Sequence, residues 1–453
     1  MKRRDFLKGV AATTAAGWAL NSTAQGRATG RKPNIIYILA DDLGYGDLGC
    51  YGQKLIKTPH IDRLAAEGMK FTQHYAGSAV CAPSRCVLLT GLHTGHCPIR
   101  NNRALRHEGN VPIPKKYITL GEMMKQAGYA TGAFGKWGEG FPGSEGDPIK
   151  RGFDRFFGYN CQRQAHNYYP DHLWRNNEKV VLRGNLDGGQ KEYSHDLIAT
   201  EALKFIRENH EKPFFAYVPF TIPHAKFQVP ELGEYAQTDW DKSQQAQAAM
   251  IGRMDRDVGR IVSLVQELGL EENTLIIFTS DNGAHGGVGT LQRFNASGPL
   301  RAKKGSLYEG GIRVPMIARW PGKIEPGSVS DHISCFQDVM PTFAELAGVE
   351  PPTDIDGISF LPALLGRSGQ QQHEYLYWEL GGQQAVRRGD WKAVRRFVRG
   401  EAKPIELYNL AKDLSESKDV ADQHPEFAKK MERILREARQ PSRLFPSKSL
   451  DNL

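Results

Sequence analysis

The chain has 453 residues, 40% hydrophobic and 24% charged, enough for one large α/β domain plus a smaller unit and free of collagen-like or low-complexity composition. Its formal charge of +8 can steer anionic substrates without identifying one, and no basic patch interleaved with aromatics points to nucleic acid. Cys50, Cys81, Cys86, Cys97, Cys161 and Cys335 are too few for a disulfide-built scaffold and show no C-x-x-C zinc spacing.

Lys2-Arg3-Arg4-Asp5-Phe6-Leu7-Lys8 precedes a mildly apolar run from Gly9 to Leu20 that is too short to span a bilayer. Residues 1–24 therefore read as an export signal. The arginine pair resembles a twin-arginine signal, with Lys2 where Ser or Thr is more usual, and Ser22-Thr23-Ala24 offers a small-x-small cleavage site. No later stretch approaches 18 unbroken apolar residues, so the mature, exported protein is expected to be periplasmic or secreted, with no membrane span.

From Arg31 strands and helices alternate. Asn34 to Ala40 is a near-continuous apolar run, as in a strand buried on both faces of a parallel sheet. Thr119 to Gly128 opens with a capping-box pair, Thr119 and Glu122, and stops at a glycine before a strand over Ala130 to Phe134. Pro213 to Phe220 predicts another buried strand, interrupted by Pro219. Asp241 to Leu268 predicts a long amphipathic helix, followed by a strand over Thr274 to Ser280. This βαβ rhythm predicts an α/β fold with a large, mostly parallel sheet flanked by helices, occupying residues 31–365. Past the polar connection Gly366 to Gln372, strands near Tyr375 to Leu380 and Trp391 to Arg396 and a helix near Pro425 to Arg439 predict a small C-terminal α+β subdomain over 373–453.

The chemistry concentrates at three places. Cys81-Ala82-Pro83-Ser84-Arg85 leads into Val87, Leu88 and Leu89, and a proline in the first turn of a helix leaves Cys81 at the positive end of the dipole. Arg85, about one turn on, adds a fixed positive charge, so the spot suits a tetrahedral oxyanion. Two predicted strands end in acidic pairs, Asp41-Asp42 and Asp281-Asn282, and ligands gather at the carboxyl ends of strands in open α/β sheets. Either pair alone is an ordinary turn or cap; together they form an all-oxygen donor set suited to Ca²⁺ or Mg²⁺.

The run Cys81-x-Pro83-Ser84-Arg85-x-x-x-Leu89-Thr90-Gly91 resembles the signature of type I sulfatases, members of the alkaline-phosphatase superfamily whose cysteine is oxidised to formylglycine. The resemblance extends over nearly the whole chain after residue 31 and implies an alkaline-phosphatase-like fold and hydrolysis of sulfate esters of carbohydrates or aryl alcohols. It implies one Ca²⁺, less readily Mg²⁺, held by Asp41, Asp42, Cys81 as formylglycine, Asp281 and Asn282. It also implies a formylglycine-generating maturation enzyme as partner. Arg85 matches the arginine that orients formylglycine, and Gly135-Lys136-Trp137 matches the second signature, making Lys136 a sulfate contact. Lys304, in Lys303-Lys304-Gly305, matches a sulfate-binding lysine, and His224 the histidine facing the leaving oxygen. The implied nucleophile is one hydroxyl of the metal-bound formylglycine hydrate, its proton taken by Asp281; His224 or Lys304 protonates the departing alcohol.

One position departs from the pattern. Many relatives read Gly-Lys-Trp-His where this chain has Gly138, leaving His93, His96, His166 and His285 as candidates for the missing contact. Two rival functions share these motifs: a phosphodiesterase or phosphonate hydrolase of the same superfamily, and a catalytically inactive protein that binds sulfated glycans. The segment His166-Asn167-Tyr168-Tyr169 with Trp174 either lines a sugar site or belongs to the core.

Overall fold

The apolar run Asn34–Ala40 forms a strand with every residue buried, in a computed structural model that describes residues 31–105, 108–398 and 400–451. It lies between two parallel neighbours, Thr274–Ser280 and Phe214–Pro219. The parallel block continues through Ala130–Lys136 to Arg155–Tyr159. Short strands finish both sides, His172–Arg175 and Glu178–Val181 antiparallel at one and Met316–Arg319 antiparallel at the other, followed there by Met69–Phe71, antiparallel to it, and Ser328–Ser330, parallel to Met69–Phe71, to give ten strands. The expected large, mostly parallel sheet is present. Pro219 is the last residue of its strand, where no further ladder donor is needed.

Period-two alternation divides the burial between two layers. Ile35, Tyr37 and Leu39, with Phe215, Tyr217 and Ile277, pack against the helices Cys81–Thr90, Leu120–Gln126 and Val339–Ala347. Ile36, Ile38, Val218 and Phe278 face the opposite way, onto Pro59–Ala66, Ser194–Glu208 and Lys242–Glu267. Each such aliphatic side chain contributes about 1.5–3 kcal/mol by burial, so covering both faces fixes the register of the central strands. The predicted cap of Thr119 with Glu122 is realised, and Asp241 makes a second capping box with Gln244. The export signal expected over 1–24 lies outside the described residues, and no helix among the described residues is long and apolar enough to cross a membrane.

After a segment without helix or strand at 366–372, Leu376–Leu380, Gln383–Arg388, Trp391–Arg395 and Glu406–Asn409 form an antiparallel four-stranded sheet. One face carries the helix Pro425–Glu437 through Met431, Ile434 and Leu435. The other presents Trp378, Ala385 and Val394 to Tyr75, Leu307 and Ile312 of the larger sheet's loops. Ions also cross this junction. Lys392, wholly buried, reaches Glu309 at 2.8 Å and Glu416 at 2.9 Å, both equally buried. Burial alone would raise the Glu309 carboxyl, but Lys392, Arg313 and Arg387 outweigh it and hold the group at about 2.

Removing one partner from such a cluster leaves a buried charge uncompensated. Lys392→Met is expected to lower unfolding stability by about 3–5 kcal/mol in urea titration, and Lys392→Met with Glu309→Gln to recover part of it. Equal stability of the single variant and the parent would contradict this account.

Candidate active site

The two acidic pairs meet because their strands are adjacent and in register, with Ala40 opposite Ser280. Their next residues leave the sheet at the same level, and the Asp281 amide donates to the Ala40 carbonyl at 3.0 Å. Asp42 takes a left-handed backbone (φ 67°), which aspartate tolerates, and its N–H donates to Asp281 Oδ1 at 3.1 Å. Asn282 Nδ2 donates to Asp42 Oδ1 at 2.7 Å. All four side chains are buried.

Cys81 is the first residue of the helix Cys81–Thr90, which Gly91 closes with φ 70° and a bond to the Val87 carbonyl. Every residue of this helix is buried, so its dipole acts without solvent screening. Cys81 Sγ lies 3.5 Å from Asp41 Oδ1 and 3.7 Å from Lys304 Nζ. Burial, joined by repulsion from Asp41, pushes the thiol up to about 12, so an unmodified cysteine here is no thiolate nucleophile at neutral pH. Arg85 contacts the scaffold around Cys81: Nε and Nη2 donate to Asp281 Oδ2 at 3.1 and 2.8 Å, and Nη1 to the Lys136 carbonyl at 2.7 Å.

Cations arrive from separate segments to meet the carboxylates. Lys136 Nζ lies 2.6 Å from Asp41 Oδ2, Lys304 Nζ lies 2.7 Å from Asp42, and His224 Nε2 lies 3.3 Å from Asp42 Oδ2. Burial would raise Asp41, but Lys136, His224, Arg85 and Lys304 outweigh it and hold the carboxyl far below the ordinary range. Asp281 goes the other way: burial and repulsion from Asp41 raise it to about 6 in spite of Arg85. Burial lowers His224. Its Nδ1 donates to the Ala225 carbonyl, so Nε2 is the nitrogen directed at the site. Tyr168 holds the His224 loop, its hydroxyl shared between the Thr221 and His224 carbonyls at 2.6 and 2.7 Å.

Every residue singled out for the site is thus within one buried constellation. The four spare histidines divide. His166 and His285 stack on the two sides of His224, with ring centroids 4.2 and 5.7 Å away and planes within 11°. His93 and His96 pair instead with Asp356. Gly138 has φ 82°, which favours glycine, and a Cβ there would sit 2.5 Å from Gln162 Nε2, so a side chain would require Gln162 to move. Gln162 and Asn160 escaped the sequence reading, since an amide carries no motif. Of the aromatic segment, Tyr168 and Tyr193 stack within the core, while Asn167 is exposed and Tyr169 half-buried.

One ligand atom each from Asp41, Asp42, Cys81 and His224 lies within 4.8 Å of the others. Asn282 Oδ1, buried, has no hydrogen-bond partner, an orphan acceptor that a cation would satisfy.

Comparison with known proteins agrees with this geometry. The sulfatase family model matches residues 33–349, and that of the N-sulphoglucosamine sulphohydrolase C-terminal region matches 302–441. N-acetylgalactosamine-6-sulfatase from Canis lupus familiaris is 36% identical over 417 residues, covering 85% of this chain and 76% of that protein. Arylsulfatase A from Homo sapiens is 34% identical, covering 88% and 85%. The solved structure of Ps i-CgsB in complex with k-i-k-neocarrahexaose superposes with a TM-score of 0.79 at 30% identity, covering 93% of this chain and 96% of that one. The phosphonate monoester hydrolase of Agrobacterium radiobacter, at 22% identity and TM-score 0.65, shares the fold. Sulfatases use a metal ion and formylglycine to cleave sulfate esters, and with the family model covering most of its length this chain belongs to the sulfatase family and is a sulfuric ester hydrolase.

Proposed function

We propose that the substrate is a sulfated carbohydrate, with aryl sulfates as surrogates, and that Asp41, Asp42, Asp281, Asn282 and converted Cys81 hold one Ca²⁺. The observation that carries this reading is the buried meeting of Asp41, Asp42, Asp281 and Asn282 with Cys81, Lys136 and Lys304. The carbohydrate class draws on the relatives' names and on a polar cavity of about 670 Å³ beginning one residue past His166, lined by Asn167, Tyr169, Asp171, Asn185, Asp187 and Gln190. A twin-arginine-like signal over 1–24 would deliver the enzyme outside the cytoplasm, after which residues 31–365 carry the chemistry and 373–453 support it.

Formylglycine at position 81 supplies, as its hydrate, an oxygen nucleophile and a route to release sulfate, and Ca²⁺ supplies a Lewis acid that acidifies it. The surrounding residues do the rest. Lys136 and Lys304 neutralise charge that sulfate brings to an already anionic pocket, and the start of the Cys81 helix adds its dipole. Arg85 fixes Asp281 so that its carboxylate can take a proton from the nucleophile. With Nδ1–H anchored on a carbonyl, His224 as the imidazolium, the form that Asp42 at 3.3 Å favours against burial, gives a proton from Nε2 to the alcohol oxygen when the S–O bond breaks.

Four measurements test this. Peptide mass spectrometry of enzyme made with a formylglycine-generating system should show the Cys81 peptide about 18 Da lighter than its thiol form; full activity with an intact thiol would refute the conversion. Metal analysis should find one Ca²⁺ per chain, lost with activity in Asn282→Ala and Asp281→Ala; stoichiometric zinc surviving dialysis against calcium would refute the assignment. His224→Ala should slow esters of poorly acidic sugar alcohols by about 10²–10⁴-fold and esters of acidic phenols far less. Equal slowing across the leaving-group series would move proton donation to Lys304. Faster turnover of aryl phosphodiester than of aryl sulfate by the parent enzyme would favour the phosphodiesterase reading.

A further inference from the structure

A second polar cavity adjoins the active site on its Cys81 and Lys304 side. It measures about 280 Å³ and is lined by Arg100, Asn102, Arg103, Glu379, Gly382 and Phe445, among others. Its walls are tied to the site by hydrogen bonds. On one side the Ala82 N–H, one residue past Cys81, donates to Asn102 Oδ1 at 2.9 Å. On the other, the turn Gly381-Gly382 of the C-terminal sheet leads into Gln383, whose Nε2 donates to the Gly305 carbonyl at 3.3 Å, one residue past Lys304. The Gly305 N–H donates in turn to the Ala79 carbonyl at 2.8 Å, two residues before Cys81. The cavity is therefore one hydrogen bond from the Cys81 helix and one from the Lys304 loop.

Two arginines line it, and they differ. Arg100 is 6% exposed and already committed: Nη1 meets Glu379 Oε1 at 3.0 Å and the Gln440 carbonyl at 2.7 Å, while Nε and Nη2 donate to the Cys97 and Gly95 carbonyls. Arg439 Nε reaches Glu379 as well, at 2.8 Å, so the one carboxylate of the lining is neutralised twice over. Arg103 is exposed and makes no ion pair among the described residues, yet it is held at both ends. Its carbonyl accepts the Val111 N–H at 3.2 Å, and its guanidinium carbon lies over the Phe445 ring, 4.2 Å from the centroid. A guanidinium resting on an aromatic face keeps its N–H edge free for an oxyanion, and one fixed beforehand loses less freedom on binding. Asn102 adds a neutral donor: Ala82 occupies its Oδ1, and its Nδ2 makes no hydrogen bond among the described residues.

Resting on the sulfatase reading of the adjoining site, we propose that this cavity binds a second oxyanion of the glycan, a sulfate or a uronate carboxylate, through Arg103 and Asn102. The enzyme accordingly prefers polyanionic saccharides to those whose only charge is the scissile sulfate.

The test uses the full chain with Cys81 converted, an aryl sulfate as control, and disaccharides of a sulfated hexosamine or galactose joined to a uronic acid. For each disaccharide that the parent cleaves, kcat/KM is compared among three forms: the uronate, the same sugar with its carboxylate reduced to the alcohol, and that alcohol sulfated. The parent should favour at least one of the two anionic forms over the alcohol by about 10-fold, and the advantage should shrink with added NaCl because Arg103 is exposed. The favoured form identifies the oxyanion. Arg103→Ala should bring the ratio close to one, and Arg103→Lys, which keeps the charge without the planar fork, should hold an intermediate value. Each ratio is taken within one protein, so a loss of folded enzyme cancels from it. Three forms cleaved within about twofold of one another by the parent would overturn the proposal. So would an Arg103→Ala variant that keeps the parent's ratio, or a parent that cleaves the aryl sulfate and none of the disaccharides. If the parent released no sulfate even from the aryl sulfate, the sulfatase reading would fail and this proposal with it, a result distinct from a sulfatase indifferent to the second charge.

Discussion

Three carboxylates with no access to water stand at the ends of two adjacent parallel strands, and they stay ionised there only because cations from distant parts of the chain meet them. Isolated, each would cost several kcal/mol to bury and would protonate instead. Lys136 comes from the strand two places away, Lys304 from a loop more than 160 residues on, and Arg85 from the helix that presents Cys81. Each part of the α/β topology can be understood as delivering one charge. The parallel block brings the acids together, the helix beneath brings the arginine, and the loops above bring the lysine and histidine.

The same logic reappears one layer out. Glu309 follows the Lys304 loop, and its carboxylate is held by Lys392 and Arg313 while Glu416 accepts its N–H. Lys392 and Glu416 belong to the C-terminal sheet region. That region therefore does more than cover apolar surface, since it supplies the countercharge beneath the loop that carries Lys304, the partner of Asp42.

Much of this was legible in the sequence because it rests on local signals. Buried parallel strands write themselves as unbroken apolar runs, and Asn34–Ala40 and Thr274–Ser280 end where the runs end. The capping box of Thr119 and Glu122 is a four-residue pattern and is equally local, whereas the one of Asp241 and Gln244 was not singled out. The short strands Met69–Phe71, Ser328–Ser330 and Glu406–Asn409 were invisible, since three or four residues carry no period and their pairing is decided by the sheet they join. In the site, Asp41, Asp42, Cys81, Lys136, His224, Asp281 and Lys304 each sit in a recognisable block. The Arg85 contact with Asp281, the choice of His166 and His285 over His93 and His96, and the Gln162 amide beside Gly138 depend on loops meeting in space. Spacing along the chain contains no record of them.

The clamp between Lys392 and Glu309 also sets a clock. The buried Glu309 carboxylate lacks this countercharge until Lys392 is made, about 300 residues after Cys81. At a synthesis rate of roughly 5–20 residues per second, the Cys81 segment spends about 15–60 s as nascent chain before that. In the finished protein the thiol is 1% exposed inside a wholly buried helix, out of reach of any oxidising enzyme. The conversion proposed for Cys81 would belong to that interval, and slower translation of the last quarter of the message would lengthen it.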